Sequence, residues 1–234
     1  NLSIVYAHKG HLVLDITLID ASAKKCNAGT GLSRVDFSGM AAHSSTPHLG
    51  VNAIQKGFYF LKKHREELTL VRIQGGELIN VVPDRMSLWF ISPHKIVPAE
   101  DDWTLSQEKV TRQECEFSAA SVDALCTLRE IFKKLNLEFK KSPMPEFDPP
   151  TMILSVGKVS TTDNKLSVEV GIRTLPSVDS GALVEGVKQQ VAHLVGKHPG
   201  IQGEVTVVRE SLPMRTDPGS TLVTEAQKIL REIG

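Results

Sequence analysis

Hydrophobic and polar positions alternate with period two in several short runs of the chain and follow the helical period in others. From His11 to Ile19, Leu12, Leu14, Ile16 and Leu18 fall on one face and Val13, Asp15 and Thr17 on the other, the pattern of a half-buried strand. A small-residue loop, Asp20 to Gly31, leads to a second strand-like run at Leu32 to Met40, and the short connection predicts an antiparallel pair. Val51, Ile54, Phe58 and Leu61 then recur at helical spacing, ending in Lys62, Lys63, His64 and Arg65, where cations suit the helix dipole. Strands are predicted at Leu68 to Gln74 and Met86 to Ile91, on either side of Gly75-Gly76 and Leu78 to Pro83. A second helix carries Val122, Leu125, Leu128, Ile131, Phe132 and Leu135, with Ser121 as its N-cap. Met152 to Val159 and Lys165 to Arg173 alternate around Thr161 to Asn164, a hairpin with a four-residue turn. A third helix holds Leu183, Val184, Val187, Val191 and Leu194, and a strand follows at Gly203 to Arg209. Asp217-Pro218 reads as the cap and first residue of a last helix.

Hairpins outnumber strand-helix-strand crossovers in this order, which favours an α+β fold. The expected architecture is an antiparallel sheet with helices packed on one face, a ferredoxin-like two-layer sandwich. Residues 92–118 are polar and irregular, with Pro93 and Pro98, and Pro143 to Pro150 reads as a connector. Residues 70–91 and 153–173 echo each other as strand, glycine, turn, strand, each followed by a helix.

Composition narrows the partners. With 27 Lys+Arg against 27 Asp+Glu the net charge is zero, which supplies no attraction to nucleic acid or an anionic membrane. No apolar run is long enough to span a bilayer. Cys26, Cys115 and Cys126 are scattered, which fits reduced thiols in a cytoplasmic protein. The chain lacks a start Met and ends inside a helical pattern, from which a piece of something longer is expected.

No metal-binding H-E-x-x-H, nucleophile elbow or phosphate loop is present. His8 and His11 point to opposite faces of a strand and read as surface histidines; Glu66-Glu67 and Asp101-Asp102 read as solvated pairs, and His193 and His198 as residues at home near a helix C-terminus. Three places remain. His43 lies among small residues at a strand-to-helix junction, where its ring is free to reach outward or simply caps a loop. Asn80 follows Gly75-Gly76, glycines that allow close backbone approach to a ligand, although a turn-forming Asn is the plainer reading. Arg173 ends a strand, placed to grip a carboxylate bidentately or to lie along the surface.

Taken together, Ala7-His8-Lys9-Gly10, Ala42-His43-Ser44-Ser45-Thr46-Pro47, Gly75-Gly76-Glu77-Leu78-Ile79-Asn80-Val81-Val82-Pro83-Asp84 and Gly171-Ile172-Arg173 resemble a known pattern. It is that of the lid, or dimerisation, domain of the di-zinc exopeptidase and deacylase family, which includes acetylornithine deacetylase, succinyl-diaminopimelate desuccinylase, aminoacylase and carboxypeptidase G. The resemblance implies a homodimer formed through the lid. It implies that His43 reaches across to the partner's active site to stabilise an oxyanion, and that Asn80 and Arg173, with Gly75 and Gly76, bind the substrate. It also implies two zinc ions held by a catalytic domain whose ligands match nothing here, so that this chain binds no metal and is inactive alone.

Two departures stand out. After Leu88 to Pro93 the family's arginine position is occupied by Ser92, and the I-R-x-x-P segment occurs only at Ile172 to Pro176; either an inserted unit displaced it or Arg173 is a false match. The second departure is the missing ligand set itself. The resulting expectation is a lid region over residues 1–212, with an inserted or extra unit at about 92–150, where the chain fits the family poorly, and with residues 213–234 returning to a catalytic domain. The function expected is that of a cytoplasmic zinc-dependent amidohydrolase of amino-acid metabolism, a metallopeptidase or deacetylase that removes N-acyl groups from amino acids or trims small peptides. The alternative is a stand-alone dimeric binding or scaffold module without catalysis.

Overall fold

The structure, a computed structural model, describes residues 4–94, 96, 103–111 and 113–233. Its core is one eight-stranded sheet built from β1 (His11–Asp20), β2 (Gly31–Ser38), β3 (Thr69–Gly75), β4 (Arg85–Ile91), β5 (Trp103–Lys109), β6 (Ile153–Thr162), β7 (Lys165–Arg173) and β8 (Ile201–Ser211). Spatially the order is β8-β1-β7-β6-β3-β4-β2-β5, with every neighbouring pair antiparallel. The helices are α1 (Ala53–His64), α2 (Ala119–Phe139), α3 (Ser180–Gly196) and α4 (Thr221–Ile233). The α+β sandwich expected from the pattern is the fold observed.

Alternation decides which face is covered. Leu12, Leu14, Ile16 and Leu18 of β1 and Leu166, Val168, Val170 and Ile172 of β7 join Phe58 and Leu61 of α1, Leu125 and Phe132 of α2, and Val187 and Val191 of α3 in one core. Each such side chain contributes roughly 1.5–3 kcal/mol by leaving water. The intervening residues of β1 and β7, including His11, Asp15, Gly171 and Arg173, are thereby turned to the opposite, helix-free face.

The sheet is made of two similar halves. Counted inward from each edge, the order is β8-β1-β7-β6 on one side and β5-β2-β4-β3 on the other. Each half has a lone strand, then a helix (α2 or α1), then a hairpin (β6–β7 or β3–β4), then an edge strand. The half running from β2 to β5 lies in sequence between β1 and α2 of the other half. The echo between 70–91 and 153–173 is therefore a real pair of corresponding hairpins, but the first is followed by the strand β5 rather than by a helix.

This nesting corrects the expected pairing of the first two strands. β1 and β2 lie in opposite halves: β1 is flanked by β7 and β8, and β2 by β4 and β5. Backbone bonds from Asp20 to Asn164 and from Ala21 to Gly200 tie the end of β1 to turns of its own half, leaving residues 21–30 to cross to the other. Other local readings shift as well. β5, seven residues long, was hidden by its polarity as an edge strand, with alternate residues exposed. Ser118, not Ser121, occupies the N-cap of α2, and Ser121 is buried within the helix, donating to Asp20. Asp20 closes the gap between β1 and α2: it accepts the Ser118 N–H at 2.7 Å and the Ser121 hydroxyl at 2.7 Å. Burial works to raise its pKa, but these hydrogen bonds and that of the Ser22 N–H outweigh it and hold the carboxyl below its ordinary value. The β6–β7 turn has two residues outside the strands, Asp163 and Asn164, with Asp163 at φ +51°. α4 begins at Thr221, four residues after Asp217, which instead accepts the Gly219 N–H in a turn. Asp101-Asp102 and Pro98 lie outside the described residues.

The seam between the halves is short in backbone terms, with Gln74 and Gly75 of β3 paired to Ser160 and Val159 of β6. Side chains extend it. Asn52 caps α1 by accepting the Ile54 and Gln55 N–H groups, and its amide also donates to the Val156 carbonyl of β6 at 2.9 Å. Asn52→Ala is expected to lower the unfolding free energy by about 1–2 kcal/mol, the usual worth of a cap. Urea unfolding measures it, and a variant as stable as the parent contradicts the double role.

Candidate functional site

The candidate site forms on the helix-free face, where a loop of one half lies on strands of the other. Residues 39–52 and 76–84 run beside one another in this loop region. Met40 bridges Val51, His43 bridges Val81, the Ser44 N–H donates to the Asn80 carbonyl at 2.9 Å and the Val82 N–H to the Ala42 carbonyl at 2.8 Å. His43 and Asn80, separate in sequence, are thus held side by side by main-chain bonds, and both are exposed.

Bare backbone lets this loop settle on the second half. Gly76 adopts φ +71°, and a Cβ there would stand 1.9 Å from the Gly157 carbonyl oxygen of β6. A Cβ on Gly157 would meet the Ile79 side chain at 2.4 Å, and one on Gly171 would come within 3.5 Å of the Ile79 carbonyl. Gly75, at the end of β3, packs instead against Ile54 and Met86 of the core. Of the two glycines singled out in the sequence, Gly76 makes a close approach of backbone to backbone, and Gly75 one of backbone to core side chains.

The seating brings Arg173 to Ser44, the residue next to His43. Arg173 donates from Nη2 to the Ser44 hydroxyl at 2.9 Å, and Ser44 is buried. His43 hydrogen-bonds through Nδ1 with the Ser45 hydroxyl at 2.7 Å, which holds the ring and leaves its other nitrogen for a ligand. His43, Asn80 and Arg173 therefore converge in one chain, Gly76 shapes the loop that carries Asn80, and Gly75 stays on the core side.

Sequence reasoning missed three members of this region. Ser44 is the link to Arg173 just described. His11 is buried, 8% exposed, with Nε2 lacking a hydrogen-bond partner. The register pairing Leu12 with Ile172 sets it beside Arg173. Burial, followed by the positive charges of Arg173 and Arg209 and by His43, pushes the His11 pKa down to about 4. Arg209, on β8, is the third. Arg173 has Nε buried without a partner, and burial, followed by the charge of Arg209, works against its protonation. The strict alternation of β1 carries a signal for His11, a polar residue on the same face as Asp15. For Arg209 the signal is erased by a bulge in β8.

Other concavities lie elsewhere. A cavity of about 630 Å³ opens beside the Gly76–Asp84 loop, between Arg34, Glu77, Arg85 and Trp89, and its cations have company, since Arg34 pairs with Asp36 and Glu108. An apolar groove of about 460 Å³ lies by α1, lined by Phe37, Tyr59, Phe60 and Trp103, away from the cluster. No group of three or more His, Cys, Asp and Glu side chains among the described residues is placed to hold a metal ion. No helix of the structure is long and apolar enough to cross a membrane. The three cysteines are free, with Cys26 and Cys126 buried, and burial raises the Cys126 thiol to about 11, away from reactivity.

The low His11 pKa has a signed consequence. The unfolded chain takes up this proton near the ordinary 6.5 and the folded chain only near 4, so stability falls as pH drops between those values. The urea midpoint of the parent is expected to decline from pH 7 to pH 4.5 more steeply than that of His11→Gln. Parallel curves contradict the burial of a neutral His11.

Comparison with known proteins agrees with the fold and the motifs. Residues 27–113 match the peptidase dimerisation domain family, designated M20 dimer. That span encloses the nested half, β2 to β5, with His43 and Asn80. Among solved structures, the aminoacylhistidine dipeptidase of Vibrio alginolyticus is similar at 22% identity and a TM-score of 0.63, covering 97% of this chain and 49% of that one. The chain thus spans about half the length of that dipeptidase. Aminopeptidase PepT of Bacillus cereus aligns over 99% of this chain and 37% of its own at 12% identity, with a TM-score of 0.26. No curated protein sequence matches.

Proposed function

We propose that this chain, which carries a peptidase dimerisation domain, is the substrate-clamping lid of a metal-dependent amidohydrolase acting on N-acyl amino acids or small peptides. The observation that carries the reading is the 2.9 Å bond from Arg173 to Ser44, which joins an arginine of one half to the His43–Asn80 loop of the other. It supports reading Arg173 as the arginine that Ser92 does not supply: it comes from the corresponding hairpin of the other half, and the nested topology gives it its late place in the sequence.

The chemistry follows from the donors. Amino-acid and peptide substrates end in a carboxylate, for which a planar guanidinium offers parallel N–H bonds, and Asn80, whose main-chain carbonyl accepts from the Ser44 N–H, is assigned a further bond through its amide. As water adds to the scissile amide carbonyl, negative charge gathers on its oxygen. His43, its ring steadied by Ser45, presents the remaining nitrogen as a donor to that oxygen. Gly75 and Gly76 contribute to substrate binding through the loop they shape. Arg173 reaches Ser44, the residue after His43, within one chain, and on this reading both act on the same substrate molecule.

The two zinc ions implied by the family resemblance would activate the attacking water. The described residues do not form a site for them. The part assigned to this chain is confined to binding the carboxylate and stabilising the oxyanion, and the chain alone is proposed to be inactive. Self-association through this domain as a homodimer and a cytoplasmic location complete the reading, with deacetylase and exopeptidase as its two reaction types. The scaffold alternative leaves the convergence of His43, Asn80 and Arg173 without a purpose.

In the full-length enzyme, His43→Ala is expected to lower kcat about 100- to 1,000-fold, as loss of one oxyanion donor does, with KM changed only a few-fold. Arg173→Gln is expected to act mainly on KM. Steady-state kinetics on an N-acyl amino acid separates the two effects, and an unaltered kcat in the His43 variant sinks the oxyanion role.

A further inference from the structure

Arg209 and His11 have no part in the functional reading above, yet the sheet places both beside Arg173. β8 pairs with β1 in register from Ile201 to Val207, then slips by one residue, so that Arg209 stands opposite Val13 and Ser211 opposite His11. A bulge of this kind re-aims the side chains beyond it. Before the slip Val205 and Val207 oppose Ile16 and Leu14, which face the helices; after it Arg209 opposes Val13, whose face is helix-free. Val13 in turn opposes Gly171 of β7, and a Cβ there would meet His11 Nε2 at 3.0 Å, so the His11 ring lies over the bare backbone between Val13 and Arg173.

The charges that face His11 are Arg173 from β7, Arg209 from β8 and His43 from the loop. The nearby acids are turned elsewhere. Asp15, on the same strand, accepts from Ser167 and from Thr17 at 2.9 Å. Glu210, next to Arg209, accepts from Ser180 on the helix side. Glu169 is paired with Lys158 at 3.5 Å, and Asp148 acts on Lys9 rather than on His11. Among the described residues, no acidic group opposes Arg173 and Arg209, while Arg173 Nε and His11 Nε2 are buried without partners. Buried donors left unmatched are costly, and cations gathered without a counter-charge repel one another.

We infer that Arg209 and His11 belong with Arg173 to a single anion site, which takes the carboxylate of a small acid and is completed by it. The anion supplies the missing counter-charge; the guanidinium of Arg209 joins that of Arg173 in holding it, and His11 lies beneath as a neutral positioning residue. This inference rests on the carboxylate-binding role given to Arg173 above, and extends it to two residues outside the motifs that carry the family resemblance.

The test is a chemical-shift titration of the 234-residue chain with N-acetylglycine and, in parallel, with uncharged N-acetylglycinamide. The acid is expected to bind and the amide not, with the His11 ring nitrogens shifting as the acid is added. Arg209→Ala, on an exposed edge strand and so compatible with folding, is expected to weaken binding about tenfold or more, the effect of losing a charged hydrogen-bond partner. His11→Gln is expected to keep the fold, as judged by its backbone spectrum, and to weaken binding of the acid several-fold at pH 7, where His11 is neutral. If Arg173→Gln abolishes binding while Arg209→Ala and His11→Gln bind like the parent, the carboxylate role of Arg173 survives and the extension falls. If the parent fails to prefer the acid, both fall.

Discussion

The site depends on the seam at which the two halves of the sheet meet. Only two residue pairs join β3 to β6 there, too few to fix the relation of one half to the other by main-chain bonding alone. The loop that leaves β3 does the rest by lying across β6 and β7, with Ile79 over Gly157 and Gly76 against the Gly157 carbonyl. Any side chain at Gly157 would occupy the space of Ile79. Close packing leaves such a position no intermediate solution: the loop is either seated or displaced, and with it go Asn80 and His43. Asn52 reinforces the same junction from the helix side. The halves thus share a core, a cap and a loop, and this is what turns two similar units into one site.

Once the loop is seated, electrostatics takes over. Arg173 and Arg209 arrive from adjacent parts of the sheet without a facing carboxylate, and His11 is kept neutral between them. Placing the exposed Arg209 beside the half-buried Arg173 without a counter-charge is unfavourable, and a bound anion would offset it. On the anion-site proposal, the same features that weaken the free protein at this place strengthen its hold on a carboxylate. Stability and recognition are opposed at this point of the sheet, while the four leucine and isoleucine side chains on the other face of β1 supply stability without any such conflict.

Much of this was legible in the sequence, and the gaps have physical causes. The period-two runs mark β1, β2, β3, β4, β6, β7 and β8, and helical spacing marks α1, α2 and α3, because each buries one face and exposes the other. β5 escaped because an edge strand with Thr104, Ser106 and Gln107 outward has too few apolar positions to show a period. Pairing of β1 with β2 was inferred from nearness along the chain, which says nothing when a whole unit is nested between a strand and its partners. Of the site, His43, Asn80 and Arg173 stood out through motif context. His11 and Arg209 did not, since their meaning arises from register: one is set by the pairing of β1 with β7, the other by a bulge that no local pattern announces. The echo between the two hairpins was visible, and only the strand order showed that it reflects two corresponding halves.

The contact of Ile79 with Gly157 is the most direct point at which to test this account. With the Ile79 δ1-methyl labelled in the otherwise deuterated chain and glycine protonated, a methyl-edited NOE spectrum reads that contact. The structure predicts strong cross-peaks from this methyl to the Gly157 α-protons, persisting when labelled and unlabelled chains are mixed, as an intramolecular contact requires. Their absence in the folded protein, or their loss on mixing, would contradict a site assembled across the seam of one chain.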